Sequence, residues 1–351
     1  TVHNFFDDKL KWNQLSYAGT IDGMKGVESG TKETIRNISF YGRLSYSYDS
    51  RYMFQATIRR DGSSVFGDGH QWGYFPSISG AWNITEEKFM ESLKESLSLS
   101  NLKLRIGYGV SGNALGFGAY SAVATYGANG TIISIGGKDY PTLVSTKLAN
   151  PDLKWEKTGM LNIGLDYAFF NGRLNGSIEY YNKVTKDLIW NYPVTSFLYP
   201  FSTISANVGE ITNRGIEISI NAIPVQNKNF TWTTTLNLSH NKNKVNKLTN
   251  EKFSTASFTQ GDPMVAGVSA EGYTQQIMEG EPLGTFFTYE FAGYDEDGTS
   301  VYYEHDAETG ARTGTTTKAP KFKDRAVTGC AQPKLNMGWN NTFSYKNWSA
   351  S

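Results

Sequence analysis

The feature that most limits what this chain can fold into is a strict alternation of apolar and polar side chains along many short stretches. From Asn37 to Tyr48 the even-numbered positions are apolar or glycine, and all but one of the odd-numbered positions are polar. Successive side chains of a β-strand point to opposite faces, so this pattern predicts strands with one apolar and one polar face. The dipeptide Asn171-Gly172, between two such stretches, is a strong hairpin signal.

We predict eleven strands from this pattern. They cover residues 37–48, 51–59, 74–84, 101–111, 153–169, 174–180, 215–223, 230–241, 285–294, 300–304 and 334–345. The connections alternate between short and long without exception. The short ones follow residues 48, 84, 170, 223, 294 and 345, and the long ones cover 60–73, 111–152, 186–214, 242–284 and 305–332. One short connection, 85–100, is predicted to be helical, with Thr85 as N-cap and Phe89, Leu93 and Leu97 on one side.

This sorting of the connections is typical of a membrane barrel with long extracellular loops and short periplasmic turns. The predicted fold class is therefore all-β, a transmembrane antiparallel up-and-down β-barrel. Aromatic side chains such as Tyr48, Phe169 and Phe230 lie on the apolar face near the short turns, where they would form an interfacial girdle. The alternative is a soluble surface-binding β-protein, such as an adhesin, whose apolar faces pack on each other. A requirement for detergent would separate the two.

Charge and composition exclude several other classes. The chain has 33 basic and 33 acidic residues, and therefore no net positive charge for binding nucleic acid. Four scattered histidines and one cysteine offer little for a metal site, and no metalloprotease or serine-hydrolase motif is present. We therefore expect no enzyme, no catalytic residue, no metal site and no cofactor. The acidic run Asp295–Asp297 leaves cation binding open, although its order differs from a calcium loop and a polar hairpin turn is favoured.

Several phrases of the sequence resemble the motifs of one transporter family. The first is Arg59–Gly67 followed by Trp72–Ser77. Further phrases are Ser100–Arg105 with Tyr108–Asn113, Asn150–Thr158, Asn207–Glu210 with Asn213–Glu217, Phe291–Asp295 and Pro333–Asn347. From about Tyr41 onward, their order and spacing resemble those of SusC/RagA-type TonB-dependent transporters.

The resemblance implies an outer-membrane barrel of about 22 strands that contains a plug and is energised through TonB. Residues 1–351 are then expected to be a segment of the barrel domain, without the plug or the TonB box. The implied function is import of a nutrient, with a glycan or oligosaccharide favoured over a peptide and a siderophore a lesser alternative. The implied partners are a SusD-like surface lipoprotein that acts as a lid, the TonB complex and membrane lipid, with dimers of transporter–lid pairs.

Two groups of candidate site residues follow. Aromatic side chains in the predicted loop 186–214 could stack on sugar rings or hold peptide side chains, or instead pack against neighbouring loops or the lid. They are Trp190, Tyr192, Phe197, Tyr199 and Phe201. Charged side chains on the polar face of the strands are predicted to line the lumen, where contact with the plug is favoured over contact with solute. They are Arg43, Arg59, Lys103, Arg105, Asp166, Glu179 and Glu217.

Overall fold

A computed structural model describes residues 34–114, 118–194, 203–255, 257–260, 273–306 and 309–351. Within these residues the chain is dominated by strands. In chain order they are β1 (Asn37–Tyr48), β2 (Tyr52–Ser63), β3 (Trp72–Asn83), β4 (Leu99–Asn113), β5 (Thr125–Ile135), β6 (Lys138–Lys147), β7 (Glu156–Phe169), β8 (Leu174–Pro193), β9 (Thr203–Gln226), β10 (Phe230–Lys247), β11 (Ser257–Gln260), β12 (Gln275–Met278), β13 (Thr285–Tyr289), β14 (Phe291–Tyr294), β15 (Ser300–His305), β16 (Arg312–Thr317), β17 (Arg325–Cys330), β18 (Asn336–Tyr345) and β19 (Trp348–Ala350). The described residues contain no helix long and apolar enough to cross a membrane.

Ten of the strands form one antiparallel sheet in the order β1-β2-β3-β4-β7-β8-β9-β10-β18-β19. Each strand pairs with the next one of this series along the chain, which is the up-and-down topology predicted from the alternation. The turn between β7 and β8 carries positive φ angles at Phe170, Asn171 and Gly172. Asparagine and glycine tolerate this left-handed region well, and their presence explains the tight hairpin. The sheet is part of a β-barrel, as predicted.

One face of the sheet is apolar and exposed. Ile106, Ile163, Tyr180 and Ile216 lie next to one another in register across β4, β7, β8 and β9. All four are among the exposed large hydrophobic side chains, as are Leu44 of β1 and many others on this face. An apolar surface of this extent is unusual on a water-exposed protein and is what a barrel presents to lipid.

Aromatic side chains gather at the short-turn end of the same face. Tyr48 pairs with Tyr52 across the first hairpin. At the other side of the sheet, Trp232 stacks on Phe343 with ring centroids 5.8 Å apart, and Phe230 pairs with Tyr345. This is the arrangement expected of an interfacial girdle.

Two of the predicted barrel strands, 285–294 and 300–304, do not belong to the main sheet. The first is divided between β13 and β14, which lie in a four-stranded sheet (β11-β12-β13-β17) and a three-stranded sheet (β14-β15-β16), and the second is β15. These strands have four to six residues, whereas a membrane-spanning strand needs about 9–11. Residues 248–335 therefore form one long connection from β10 to β18, and the turn after Tyr294 belongs to it. Short and long connections still alternate along the main sheet, because leaving out two consecutive strands merges two long connections and the short one between them into a single long connection.

The predicted loop 186–214 is also mostly strand. β8 continues to Pro193 and β9 begins at Thr203, so the connection is 194–202. The pairing of β8 with β9 shifts register between Thr185 and Leu188, where Asp187 has a φ of 56°. This irregularity breaks the period-two pattern without ending the strand, which is why the alternation did not reveal the extension.

The compact connection between β3 and β4 is only partly helical. It contains the 3-10 turns Ile84–Glu86 and Lys88–Met90 and the α-helix α1 (Glu91–Leu97). The prediction of Thr85 as N-cap was wrong: its buried hydroxyl donates to Asn83 Oδ1 and accepts a hydrogen bond from the backbone N–H of Leu102. The side chain therefore fixes the connection to β4 and caps no helix.

The same connection is fixed to the aromatic girdle through Glu87. Its carboxylate accepts hydrogen bonds from the Tyr52 hydroxyl at 2.5 Å and from Trp82 Nε1 at 3.0 Å. The hydrogen bond from Tyr52 has the larger effect and that from Trp82 the smaller, and together they hold the pKa of Glu87 below its usual value. The predicted helical face of Phe89, Leu93 and Leu97 is exposed.

Candidate functional site

The polar face of the sheet carries an ion-paired cluster on three strands. The Arg105 guanidinium donates to both carboxylate oxygens of Asp166 at 2.7 and 2.8 Å, and to Glu179 Oε1 at 2.7 Å. A side chain at Gly164 would meet this guanidinium, because a Cβ there would lie 2.8 Å from Arg105 Nη2. The glycine leaves the space that lets Arg105 cross from β4 to the carboxylates of β7 and β8.

All seven charged residues of the predicted lumen set lie on this face, opposite the apolar one. Among them, Arg105, Asp166 and Glu179 form direct ion pairs with one another. Arg59 instead pairs with Asp61 at 2.7 Å on its own strand. Glu217 faces Glu179 in register across β8 and β9. Lys103 on β4 lies opposite Asp166 in register, and Arg43 lies on β1. Whether this face contacts a plug or a solute stays a prediction.

At the long-loop end, Tyr192 is part of a packed core. Its side chain is 1% exposed and contacts a cluster with Ala206 and Val208, against which Phe253 and Phe258 pack. The hydroxyl donates to the carbonyl oxygen of Leu248 at 2.7 Å. This burial favours the alternative in which the aromatic side chain packs the loops, since neither its ring faces nor its hydroxyl are free for a solute.

Trp190 lies two residues earlier on the same strand and is 41% exposed. Its ring touches Phe258 at a centroid distance of 5.5 Å, so one side is packed while the other is open. Binding of a solute by Trp190 stays a prediction, and the geometry leaves room for it. The other three predicted aromatics, Phe197, Tyr199 and Phe201, lie outside the described residues.

A polar cleft of about 640 Å³ lies beside these aromatics. Ala206, the register partner of Trp190, forms part of its wall. The other lining residues are His70, Asn150, Asp152, Lys154, Asn207, Lys247, Asn250, Glu251, Lys252 and Phe253. The amide, ammonium and carboxylate groups of this wall form a surface that suits hydroxyl-rich or amide-rich solutes.

Two charged groups of the cleft pair with each other. Lys252 Nζ donates to Asp152 Oδ2 at 2.5 Å. This hydrogen bond lowers the pKa of Asp152 and raises the pKa of Lys252. Both side chains are largely exposed, so the pair joins the loop before β7 to the connection after β10 without burying charge.

Sequence reasoning missed the residues that build this end of the sheet. Asn207 Nδ2 donates to the carbonyl oxygens of Lys154 and Asp187, both at 2.8 Å, and its Oδ1 accepts from the backbone N–H of Lys154. Asn150 Nδ2 donates to the carbonyl oxygen of Ser205. Both asparagines belong to the family motifs named above. The sequence therefore marked these positions, but it did not show that their side chains hold neighbouring segments together.

The first motif, Arg59–Gly67, packs against the same segment around residues 150–155. The backbone N–H of Gly67 donates to the carbonyl oxygen of Leu153 at 3.1 Å, and a Cβ at Gly67 would lie 1.8 Å from the carbonyl oxygen of Pro151. Phe66 packs on Trp155 with ring centroids 4.8 Å apart. The motifs around residues 59–67, 150–158 and 207–210 therefore meet at one scaffold, and what they specify there is packing.

The acidic run Asp295–Asp297 lies in a hairpin turn between β14 and β15. The Lys318 ammonium contacts the carboxylate of Asp295, and lies 3.7 Å from that of Asp297. The hydrogen bond from Lys318, and then that from the backbone N–H of Thr299, lower the pKa of Asp295. In the described residues no group of three or more histidine, cysteine, aspartate or glutamate side chains is arranged to hold a metal ion.

Comparison with known proteins places the chain in a family. Residues 3–350 match the model described as "TonB dependent receptor-like, beta-barrel". TonB-dependent receptor P3 of Formosa agariphila is 34% identical over 96% of this chain and 33% of its own length. TonB-dependent receptor SusC of Bacteroides thetaiotaomicron is 33% identical over 92% of this chain and 31% of its own length. The chain thus spans about a third of the length of these relatives.

Solved structures agree in fold. A structure of the RagAB peptide importer in the 'closed-closed' state superposes with a TM-score of 0.74 at 26% identity, covering 89% of this chain and 32% of that chain. A second structure of the RagAB peptide transporter gives the same TM-score and covers 93% of this chain.

Proposed function

Because the chain belongs to the β-barrel family of TonB-dependent receptors, of SusC/RagA type, we propose that it forms part of an outer-membrane importer of a nutrient. The family is one of transporters, which are not enzymes. The observation that carries the proposal is the two-faced sheet, with an exposed apolar face, an ion-paired polar face and every long connection at one end. In this proposal residues 1–351 are a segment of a barrel domain whose plug and TonB box belong to other parts of the polypeptide.

The proposed path runs through the lumen between the long-loop end and the periplasm. The apolar face holds the barrel in lipid, and the polar face with Arg105, Asp166 and Glu179 contacts the plug. An arginine held by two carboxylates presents a fixed surface against which a plug can pack. Energy for opening the path is proposed to come from the TonB complex.

For the substrate we propose a glycan or oligosaccharide. Two observations support this: the Trp190 ring is exposed, and its register partner Ala206 lines a cleft that carries three asparagine side chains. Sugar rings stack on aromatic faces while their hydroxyls bond to amides. Peptide import is the second candidate, and the likeness to the RagAB peptide importer favours it. A SusD-like lipoprotein is proposed to cover the long-loop end as a lid, with pairs of transporter and lid forming dimers.

Replacing Trp190 by alanine tests the solute site. We expect uptake of the cognate oligosaccharide to fall several-fold while the surface abundance of the transporter stays unchanged, because Trp190 contributes an open ring and little packing. Trp72→Ala is the matched control: Trp72 is 40% exposed, close to the 41% of Trp190, but it lies on the apolar face beside Arg60. Equal uptake by the two variants, or loss of uptake that follows loss of protein, would contradict the solute site. Competition by peptides instead of oligosaccharides would favour the second candidate.

Labelling of the native Cys330 tests which end of the barrel faces the cell exterior. It is exposed and ends β17, within the long connection 248–335. On intact cells it is therefore expected to react with a membrane-impermeant maleimide. In a Cys330→Ser background, Lys228→Cys in the short turn before β10 should react only after the outer membrane is permeabilised. Labelling of Lys228→Cys on intact cells would reverse the topology or exclude a membrane barrel.

A further inference from the structure

Four basic side chains lie on the apolar face, toward the long-loop end. Lys157 lies twelve residues before Phe169, the short-turn end of β7, and Arg214 lies twelve before Gln226, the end of β9. Lys186 lies twelve residues after Leu174, the start of β8, and Lys242 twelve after Phe230, the start of β10. Four neighbouring strands thus carry a cation each, in two pairs. Between the pairs the register is staggered, because Arg214 lies opposite Asn182, four residues from Lys186 along β8. We call these four side chains the cationic row.

Their side of the sheet follows from the register. Lys157 pairs with Lys186, and two residues further along β7 Gly159 pairs with Val184. Arg214 pairs with Lys242, two residues beyond the pair of Ile216 with His240. All four basic residues are exposed and share the face of Ile163 and Ile216, so they point toward lipid and away from the ion-paired cluster.

Their height places them at the surface of the membrane. Twelve residues of a strand rise about 40 Å along its axis, and a tilt of about 40° reduces this to about 30 Å of height, slightly more than the apolar band of about 25 Å. With the aromatic girdle at the short-turn end in one interface, the four cations lie in the opposite one, at the level of the lipid head groups.

Below this row the lipid-facing surface is hollow. A depression of about 650 Å³ has an apolar wall of Tyr108, Val110, Leu161 and Val184. The polar residues that line it are Lys157, Asn182, Lys186, Asp187 and Glu210. Its floor is open because Gly159 has no side chain: a Cβ there would lie 2.9 Å from the Tyr108 hydroxyl. The apolar wall fits an acyl chain, and the two ammonium groups, which stand beside the carboxylates of Asp187 and Glu210, lie where its phosphate would be.

The charges at the rim leave Lys157 without an acidic partner among the described residues. Lys157 and Lys186 lie directly opposite each other, where like charges destabilise a sheet. The two carboxylates nearby contact lysines already: Glu210 lies 3.8 Å from Lys186, and Asp187 lies 3.0 Å from Lys154. Among the described residues, Lys157, Arg214 and Lys242 form no ion pair with an acidic side chain.

From this geometry we propose that the outward face of β4, β7 and β8 binds a phosphorylated lipid of the outer leaflet, with an acyl chain in the hollow and the phosphate on Lys157 and Lys186. Arg214 and Lys242 extend the cationic row to a neighbouring head group. The inference rests on the outer-membrane location proposed above and adds a lipid ligand to it.

The test measures lipid bound by the complete polypeptide that carries this chain. The purified protein is reconstituted in phosphatidylcholine vesicles that contain lipid A with or without its phosphate groups, and the lipid A retained per protein after extraction is counted by native mass spectrometry. We expect retention of the phosphorylated form, with a loss of about fivefold for each lysine removed in Lys157→Gln and Lys186→Gln. The arginine variants Lys157→Arg and Lys186→Arg should retain it.

Two further variants separate charge from shape and from folding. Lys183→Gln is the matched control, because Lys183 is exposed on β8 but lies on the opposite face, and it should bind as the wild type does. Val184→Trp should fill the hollow and reduce retention without changing charge. Equal retention of lipid A with and without phosphate, or equal retention by Lys157→Gln and Lys183→Gln, would overturn the lipid site alone. Failure of the wild-type protein to enter bilayers would overturn the proposed function as well.

Discussion

Replacing Ile163 by arginine is expected to lower the free energy of unfolding of the barrel by about 2–4 kcal/mol. Ile163 lies on the apolar face between Ile106 and Tyr180 in register. It stands six residues from Phe169 and six from Lys157 on β7, and hence midway between the aromatic girdle and the cationic row. A guanidinium at this depth would lose its hydration to the centre of the bilayer. The measurement is a urea titration of folding into phospholipid vesicles.

Ser45→Arg is the control for this substitution. Ser45 is exposed on β1 and alternates with Leu44, so it lies on the polar face. An added arginine there remains in a polar surface and is expected to change the free energy of unfolding far less. Equal losses for Ile163→Arg and Ser45→Arg would show that the two faces have the same surroundings, as in a soluble β-protein.

Truncating Tyr192 to alanine is expected to destabilise the long-loop end by about 3–5 kcal/mol, the range for removing a large aromatic from a packed core. The side chain is 1% exposed and ties β8 and β9 to Phe253, Phe258 and Leu248. Its loss would free the connection after β10 from the sheet while leaving the membrane-spanning part intact. Hydrogen exchange of the amides of residues 188–193 and 203–208 measures this loss directly.

The contributions of the hydroxyl and the ring of Tyr192 to stability can be measured separately. Tyr192→Phe keeps the ring and removes only the hydrogen bond to the Leu248 carbonyl, for which about 1 kcal/mol is expected. Trp190→Ala, two residues away on the same strand, should leave the exchange of these amides nearly unchanged because the indole is only half packed. Protection of the amides in Tyr192→Ala at the wild-type level would show that the ring is not part of the core and would return Tyr192 to the solute-facing set.

The candidate site was predictable only in part. Alternation placed Arg105, Asp166 and Glu179 on one face, because side-chain direction in a strand follows from parity alone. It could not show that these three form ion pairs with one another while Arg43 stands apart on β1, since that depends on which strands pair and in which register. Tyr192 and Trp190 are both aromatic residues of one short segment. Their different burial arises from contacts with residues more than 55 positions away in the sequence, such as Phe253 and Phe258.

The fold shows the same division. The strands of the main sheet, their alternating faces and the separation of short from long connections were readable from the sequence, because each is a local property of a strand or a turn. The assignment of 285–294 and 300–304 to the barrel was wrong. Alternation is equally present in a short strand outside the membrane, and it does not show with which strand a segment pairs. The end of β8 was also missed, where the irregularity at Asp187 hides a strand that continues to Pro193.

By itself, then, the sequence determined a two-faced, up-and-down β-structure with its long connections at one end. This follows from local physics: a two-residue side-chain period, turn residues such as Asn171-Gly172, and the cost of placing charge on the lipid side. Only the tertiary structure decided which strands join the main sheet, which charges pair, and that Gly67, Asn150 and Asn207 build one scaffold. These depend on register and on close approach of segments distant in sequence, where a single backbone carbonyl, such as that of Pro151 against Gly67, leaves room for no side chain.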